Sequence, residues 1–152
     1  MRQLTHLDKE GKIEMVDISH KPQTVRQATA RCRVRLEPQT IEALKTQALP
    51  KGEAIAAAKV AGILAAKKTD ELIPLTHSLG LSHVGVEVDL LGSHVMIHAT
   101  AQTTASTGPE MEALTAAAIS ALTLYDMCKS VQQGIVIEEL VLVSKSGGKS
   151  GE

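Results

Sequence analysis

The sequence predicts an α+β fold, a ferredoxin-like sandwich in which an antiparallel sheet packs against helices, assembled as a homo-oligomer. Three observations predict it. Residues 24–36 and 84–102 alternate apolar and polar side chains with period two. Residues 110–133 form a long, Ala-rich helical stretch, followed by the strand-like run Ile135 to Val143. The resulting order, β-α-α-β-β-α-β, reduces to βαββαβ when the first two helices share a layer. Oligomerisation is expected because the core must be built almost without aromatics, from small side chains that each bury little area.

The elements follow in chain order. Residues 1–23 are polar, broken by Gly11 and Pro22, and read as an arm that either packs on a neighbour or hangs free. In residues 24–36, Ala28, Ala30, Cys32, Val34 and Leu36 face one way and Thr29, Arg31, Arg33 and Arg35 the other. The Arg row reads as a solvated face or, less commonly, a phosphate-facing one. Pro38 opens a short helix to about Leu49. A second helix runs from about Glu53 to Lys68, its end carrying Lys67 and Lys68 against the helix dipole. The stretch 69–82, TDELIPLTHSLGLS, reads as a loop. Residues 84–90 and 95–102 form a hairpin turning at Gly92-Ser93. The long helix begins after Pro109, with Thr107 as a candidate cap, and stops at Gly134. Residues 144–152 read as a Gly/Ser/Lys loop, and 1–152 as one domain.

Composition narrows the function. The chain has 152 residues, a formal net charge of −1, one Tyr, no Phe and no Trp. Near-neutral charge and the lack of stacking platforms argue against a nucleic-acid binder. The start, MRQLTHLDKEGK, is polar throughout, and no apolar run reaches the roughly 18 residues of a membrane span, so a cytoplasmic protein is expected. Cys32 and Cys128 fit no metal-binding spacing and read as reduced core residues.

The long helix carries the most chemistry. Glu112, Thr123, Asp126 and Ser130 fall within roughly 40° of one line, with Lys129 beside Asp126. An Asp126–Lys129 pair is either an ordinary i,i+3 surface contact or a catalytic pair. No charge occurs from Ala113 to Tyr125, so the helix should be largely covered and its end charges partly buried. Glu112 and Asp126 are about 21 Å apart along the helix. They cannot share one small site within one chain. Lys51, Lys67, Lys129, Lys145 and Lys149 together suggest anion binding, although each alone reads as a solvated lysine. The tail GGKS is not a P-loop, since no strand–GxxxxGK[ST]–helix context surrounds it; it is a phosphate cradle or a flexible tail. His77 reads as a substrate clamp or as a hydrogen-bonded surface residue. The remaining histidines form no ligand pattern, so no metal is expected.

Several stretches, MVDIS (15–19), AGILAAKKT (61–69), ELIPLTHSL (71–79), TGPEMEALTAAAISALTLYDMCK (107–129) and KSGGKSG (145–151), resemble the MoaC family, the cyclic pyranopterin monophosphate synthases. The resemblance covers nearly the whole chain. It implies conversion of a 3′,8-cyclised dihydroguanosine triphosphate into cyclic pyranopterin monophosphate and pyrophosphate, in molybdenum cofactor synthesis. It implies a hexamer built as a trimer of dimers with active sites at dimer interfaces. By the same resemblance Asp126, Lys129 and Lys51 are catalytic. Leu75, Thr76, His77, Glu110, Met111, Glu112, Lys67, Lys145, Lys149 and Arg26 bind substrate. No dedicated cofactor is implied; Mg²⁺ accompanying the triphosphate and contact with the upstream radical GTP cyclase are left open. Clustering and burial are expected to lower the lysine pKa values towards neutrality. The family's PLCHPL reads PLTHSL here, and its TGVEME reads TGPEME, so Thr76, Ser78 and Pro109 depart from the pattern. A non-catalytic nucleotide-binding paralogue and a purely structural oligomerisation module are the alternatives.

Overall fold

The structure, a computed structural model, describes residues 4–148. Four strands and four helices follow one another as β1 (Thr24–Arg35), α1 (Pro38–Lys45), α2 (Ala54–Lys67), α3 (Thr69–Leu72), β2 (Leu81–Leu90), β3 (His94–Ala105), α4 (Glu110–Cys128) and β4 (Val136–Ser146). The sheet order is β2-β3-β1-β4 with every pairing antiparallel. This is an α+β fold with the predicted βαββαβ order, α1, α2 and α3 together filling the first crossover.

Alternation explains the layers. Ala28, Ala30, Cys32 and Val34 of β1 and Val95, Ile97, Ala99 and Ala101 of β3 are buried against the helices. They pack with Ala113, Ala116, Ala117, Ala121 and Leu124 of α4. Alanine on both sides allows close approach, and α2 and α4 are packed closely enough that Gly62 cannot carry a Cβ. A Cβ there would clash with Ser120 Oγ and come within 3.0 Å of Ala116 O and Val86 Cγ2. Ser120 Oγ donates to Ala58 O at 2.9 Å across the same crossing. These contacts run α2 antiparallel to α4.

Several boundaries differ from the expected ones. The sequence predicts a loop over 69–82, but Thr69–Leu72 is a turn of helix: Thr69 is buried and its Oγ1 donates back to Ala65 O and Ala66 O, holding one more turn. Pro109 occupies the N-cap position of α4 without a side-chain cap bond, so Thr107 does not cap it. The helix ends at Cys128 rather than near Gly134, passing into hydrogen-bonded turns in which Val131 and Gln132 donate to Cys128 O. β4 continues through Ser146 because Gln27 and Ala28 pair with Ser146 and Lys145. Two register shifts bulge β4, one of them beside Glu139, whose φ is 54°. Among its described residues, the arm up to Gln23 forms no strand beyond an isolated Leu7–Ile13 bridge.

Candidate active site

The antiparallel α2–α4 pair decides where the chemistry lies. Lys51, just before α2, comes to the end of α4. The segment after α2 comes to the start of α4. Two clusters result, about 21 Å apart along α4 by its rise per residue.

The first cluster is centred on Asp126. Lys51 Nζ lies 3.1 Å from Asp126 Oδ1 and donates to the Asp126 carbonyl at 2.9 Å. Lys129 Nζ lies 2.9 Å from the same Oδ1, the i,i+3 neighbour on the helix. Lys51 reaches over because Gly52, at φ 99°, turns the chain sharply into α2. The Asp126 side chain is 56% exposed, contrary to the expected partial burial. Hydrogen bonds from Lys129 and then Lys51 hold its carboxyl below the usual carboxylate range. The Lys129 ammonium is raised, not lowered, because the Asp126 carboxylate accepts its hydrogen bond. Lysine–lysine repulsion therefore does not dominate here: a carboxylate stands between the two ammonium groups.

The second cluster surrounds a cleft of about 450 Å³. Leu75, Thr76 and His77 line one side and Glu110 and Met111 another. Sequence reasoning missed the remaining wall, which includes Thr5, His6, Val16, Ile18 and Lys21 of the arm. These residues show no periodicity; only the family resemblance, through LTH at 4–6 and MVDIS at 15–19, touches Thr5, His6, Val16 and Ile18. His77 Nε2 lies 2.6 Å from Val16 O. Ser78 Oγ donates to Asp70 Oδ2 at 2.5 Å, tying the loop back to α3.

Glu112 is not among the cleft-lining residues. It is 3% exposed and its Oε1 finds no hydrogen-bond partner. Burial pushes its carboxyl up to about 7, and the Glu110 and Asp70 carboxylates push the same way. Glu112 and Asp126 share a helical line, yet one is buried and the other faces solvent.

The basic residues gather unevenly. Arg26 Nε donates to Ala105 O at 3.0 Å. Lys145 lies on β4, not in a tail, with Nζ 3.8 Å from Glu110 Oε1. Gly147, at φ 91°, passes so close to Val25 O that no side chain fits, and Gly148 packs against the Arg26 guanidinium. Arg26 and Lys145 thus stand at the Glu110 end. Lys67 closes α2 at that same end and forms no ion pair among the described residues. Lys149 lies outside the described residues. Among the described residues, no group of three His, Cys, Asp or Glu side chains is arranged to hold a metal ion.

The sequence profile of the MoaC family matches residues 15–148. The chain belongs to the MoaC family. Among its relatives, the cyclic pyranopterin monophosphate synthase of Roseiflexus castenholzii is 50% identical over 154 residues, covering 100% of this chain and 98% of the relative. The protein of that name from Nostoc sp. is 53% identical over 151 residues, covering 98% and 90%. That from Oleidesulfovibrio alaskensis is 53% identical over 150 residues, covering 97% and 94%. Among the described residues, no helix is long and apolar enough to cross a membrane.

Proposed function

We propose that this chain is a cyclic pyranopterin monophosphate synthase, a cytoplasmic lyase of molybdenum cofactor biosynthesis. It converts 3′,8-cyclo-7,8-dihydroguanosine 5′-triphosphate into cyclic pyranopterin monophosphate and pyrophosphate. The observation that carries the reading is the Lys51–Asp126–Lys129 junction, a carboxylate gripped by two ammonium groups brought from distant parts of the chain.

The reaction demands two things. Opening a purine ring and closing a pterin needs several proton transfers. Forming a cyclic phosphate needs an oxygen to bond the α-phosphorus while the bond to the departing pyrophosphate breaks, with the negative charge neutralised. In this reading Lys51 and Lys129 donate and accept the protons, and Asp126 orients both. Leu75 and Met111 flank the flat heterocycle in the cleft, with Thr76, His77 and Glu110 on its polar edge. Glu112 supports this end from beneath the surface. Arg26, Lys67, Lys145 and Lys149 hold phosphates. Mg²⁺ enters only as a companion of the triphosphate, and the substrate comes from the upstream radical GTP cyclase.

The two clusters are too far apart to serve one substrate within one chain, so the working site joins two chains. Two features support this. α2 and α4 are apolar nearly all round, yet Val60, Leu64 and Leu122 remain 51–57% exposed. Leu140 to Val143 of the edge strand β4 are also exposed. A two-fold axis crossing α4 near Ile119, midway between Glu112 and Asp126, would carry the Asp126 end of one copy to the cleft of another. Three such dimers would form the hexamer.

The test is a coupled assay on the purified protein with the cyclised dihydro-GTP intermediate, following pyrophosphate and cyclic pyranopterin monophosphate together. Stoichiometric release of both is expected. Tight binding with neither product would replace the synthase by a phosphate-binding paralogue, with Thr76 and Ser78 the first suspects. Co-expressing Asp126→Asn with His77→Gln tests the shared site. Recovery of about a quarter of wild-type activity is expected when half of the dimers are mixed and each carries one intact site. No recovery would confine the site to one chain.

A further inference from the structure

The geometry points to the N-terminal arm as the element that fixes which face of His77 works: Val16 O accepts a hydrogen bond from Nε2–H, so the atom presented to the substrate is Nδ1. The inference rests on the reading of His77 as a substrate-contacting residue. It concerns a tautomer and a positioning contact that can be measured without any turnover.

A backbone carbonyl oxygen can only accept a hydrogen bond. The 2.6 Å contact between His77 Nε2 and Val16 O therefore requires a proton on Nε2. In the neutral ring that leaves Nδ1 with a lone pair and no hydrogen. Nε2 is spent on the arm, so Nδ1 is the nitrogen left to accept a proton or a hydrogen bond from bound substrate.

The arm is built to hold this contact. Val16 and Ile18 are half-buried and line the cleft, so the carbonyl is presented from an anchored stretch. Lys21 N donates to Ile18 O at 3.0 Å, and Ser106 Oγ donates to Lys21 O at 3.0 Å, pinning the far side of the turn beside the entrance to α4. Asp17 Oδ1 accepts from Ser19 N at 2.9 Å, stiffening the stretch between. On the other side, the Ser78–Asp70 bond immobilises the residue after His77. The imidazole is thus held on one side by Val16 O, and the residue that follows it is tied to Asp70 on the other. Val16 and Ser78 are positioning residues, and His77 is the group they aim.

The first experiment is ¹⁵N NMR of the full chain labelled in histidine, at about pH 8, where an ordinary imidazole is neutral, with the His77 signals assigned by their loss in His77→Gln. A single neutral tautomer with the proton on Nε2 is expected. A proton on Nδ1, or a rapidly averaging mixture, would overturn the inference.

The second experiment splits the two nitrogens. A Gln carboxamide reaches the Nε2 position and can still donate to Val16 O, whereas an Asn carboxamide overlays Nδ1 only. His77→Gln should keep hydrogen-exchange protection over residues 16–21 within about twofold of wild type while turnover falls at least tenfold, within the range general acid–base groups supply. His77→Asn should lose that protection and retain more turnover than His77→Gln. The reverse ranking would make Nε2 the working atom. A wild-type protein that makes no product would remove the synthase reading, while the tautomer and the protection pattern would still decide the role of the arm.

Discussion

Glu112→Gln isolates the least comfortable group in the fold. Glu112 is buried, its Oε1 has no partner, and its carboxyl is raised to about 7 from 4.5. Between those two values the native state holds a proton that the unfolded chain has released. Stability therefore falls as pH rises from the unfolded pKa to the folded one, and the penalty is complete above about 7. Integrating the two titration curves between pH 5 and pH 8 gives a loss of roughly 2–3 kcal/mol from this one group. Gln has the same shape and cannot ionise, so the variant should escape the loss. Relative to wild type it should gain roughly 5–10 °C in melting temperature at pH 8 over whatever it shows at pH 5, by the usual scaling for a domain of about 150 residues. Thermal melts of both proteins at the two pH values, followed by circular dichroism, measure it. An equal offset at both pH values would refute the reasoning: Glu112 would then have a cationic partner in the working protein, such as a second copy's lysine.

Three further outcomes are expected. Lys51→Ala and Lys129→Ala should each lower single-turnover rates by about 10²–10⁴-fold with an unchanged circular dichroism spectrum, and a near-normal rate would remove that lysine from the chemistry. Gly62→Ala should destabilise the protein by about 1–3 kcal/mol in denaturant titrations, because its new Cβ meets Ser120, Ala116 and Val86 at the α2–α4 crossing; an unchanged midpoint would mean that the crossing is looser than the contacts imply. Cys32 and Cys128 are free and buried, and burial raises both thiols, that of Cys128 to about 11. Neither should react with a thiol reagent at neutral pH until the protein unfolds, and prompt labelling of the native state would show that the core opens.

Local pattern was enough for the architecture. Period-two alternation in 24–36 and in 84–102 depends only on one face of each strand being buried, and both segments became strands with that face inward. The long apolar helix and the position of Lys129 one turn after Asp126 are likewise properties of neighbouring residues, legible from spacing. The 21 Å between Glu112 and Asp126 follows from helical rise alone.

What spacing could not supply is anything that depends on how distant segments meet. Lys51 reaches Asp126 only because α2 runs antiparallel to α4, and that follows from the close packing of Gly62 and Ser120. The arm has no periodic signal, so its place as a wall of the cleft and its bond to His77 appear only in the folded chain. The protonation states divide in the same way. Sequence counts charges, but whether Lys129 is raised by a carboxylate or lowered by another lysine depends on which group lies within about 3 Å of it. Glu112 and Asp126 lie on one helical line with one kind of side chain, and tertiary packing alone buries the first while leaving the second to its two lysines. Local sequence determined the elements and the residues available for chemistry; the contacts that turn those residues into acids, clamps and buried charges were decided in three dimensions, because desolvation and Coulomb energy depend on distance and not on position in the chain.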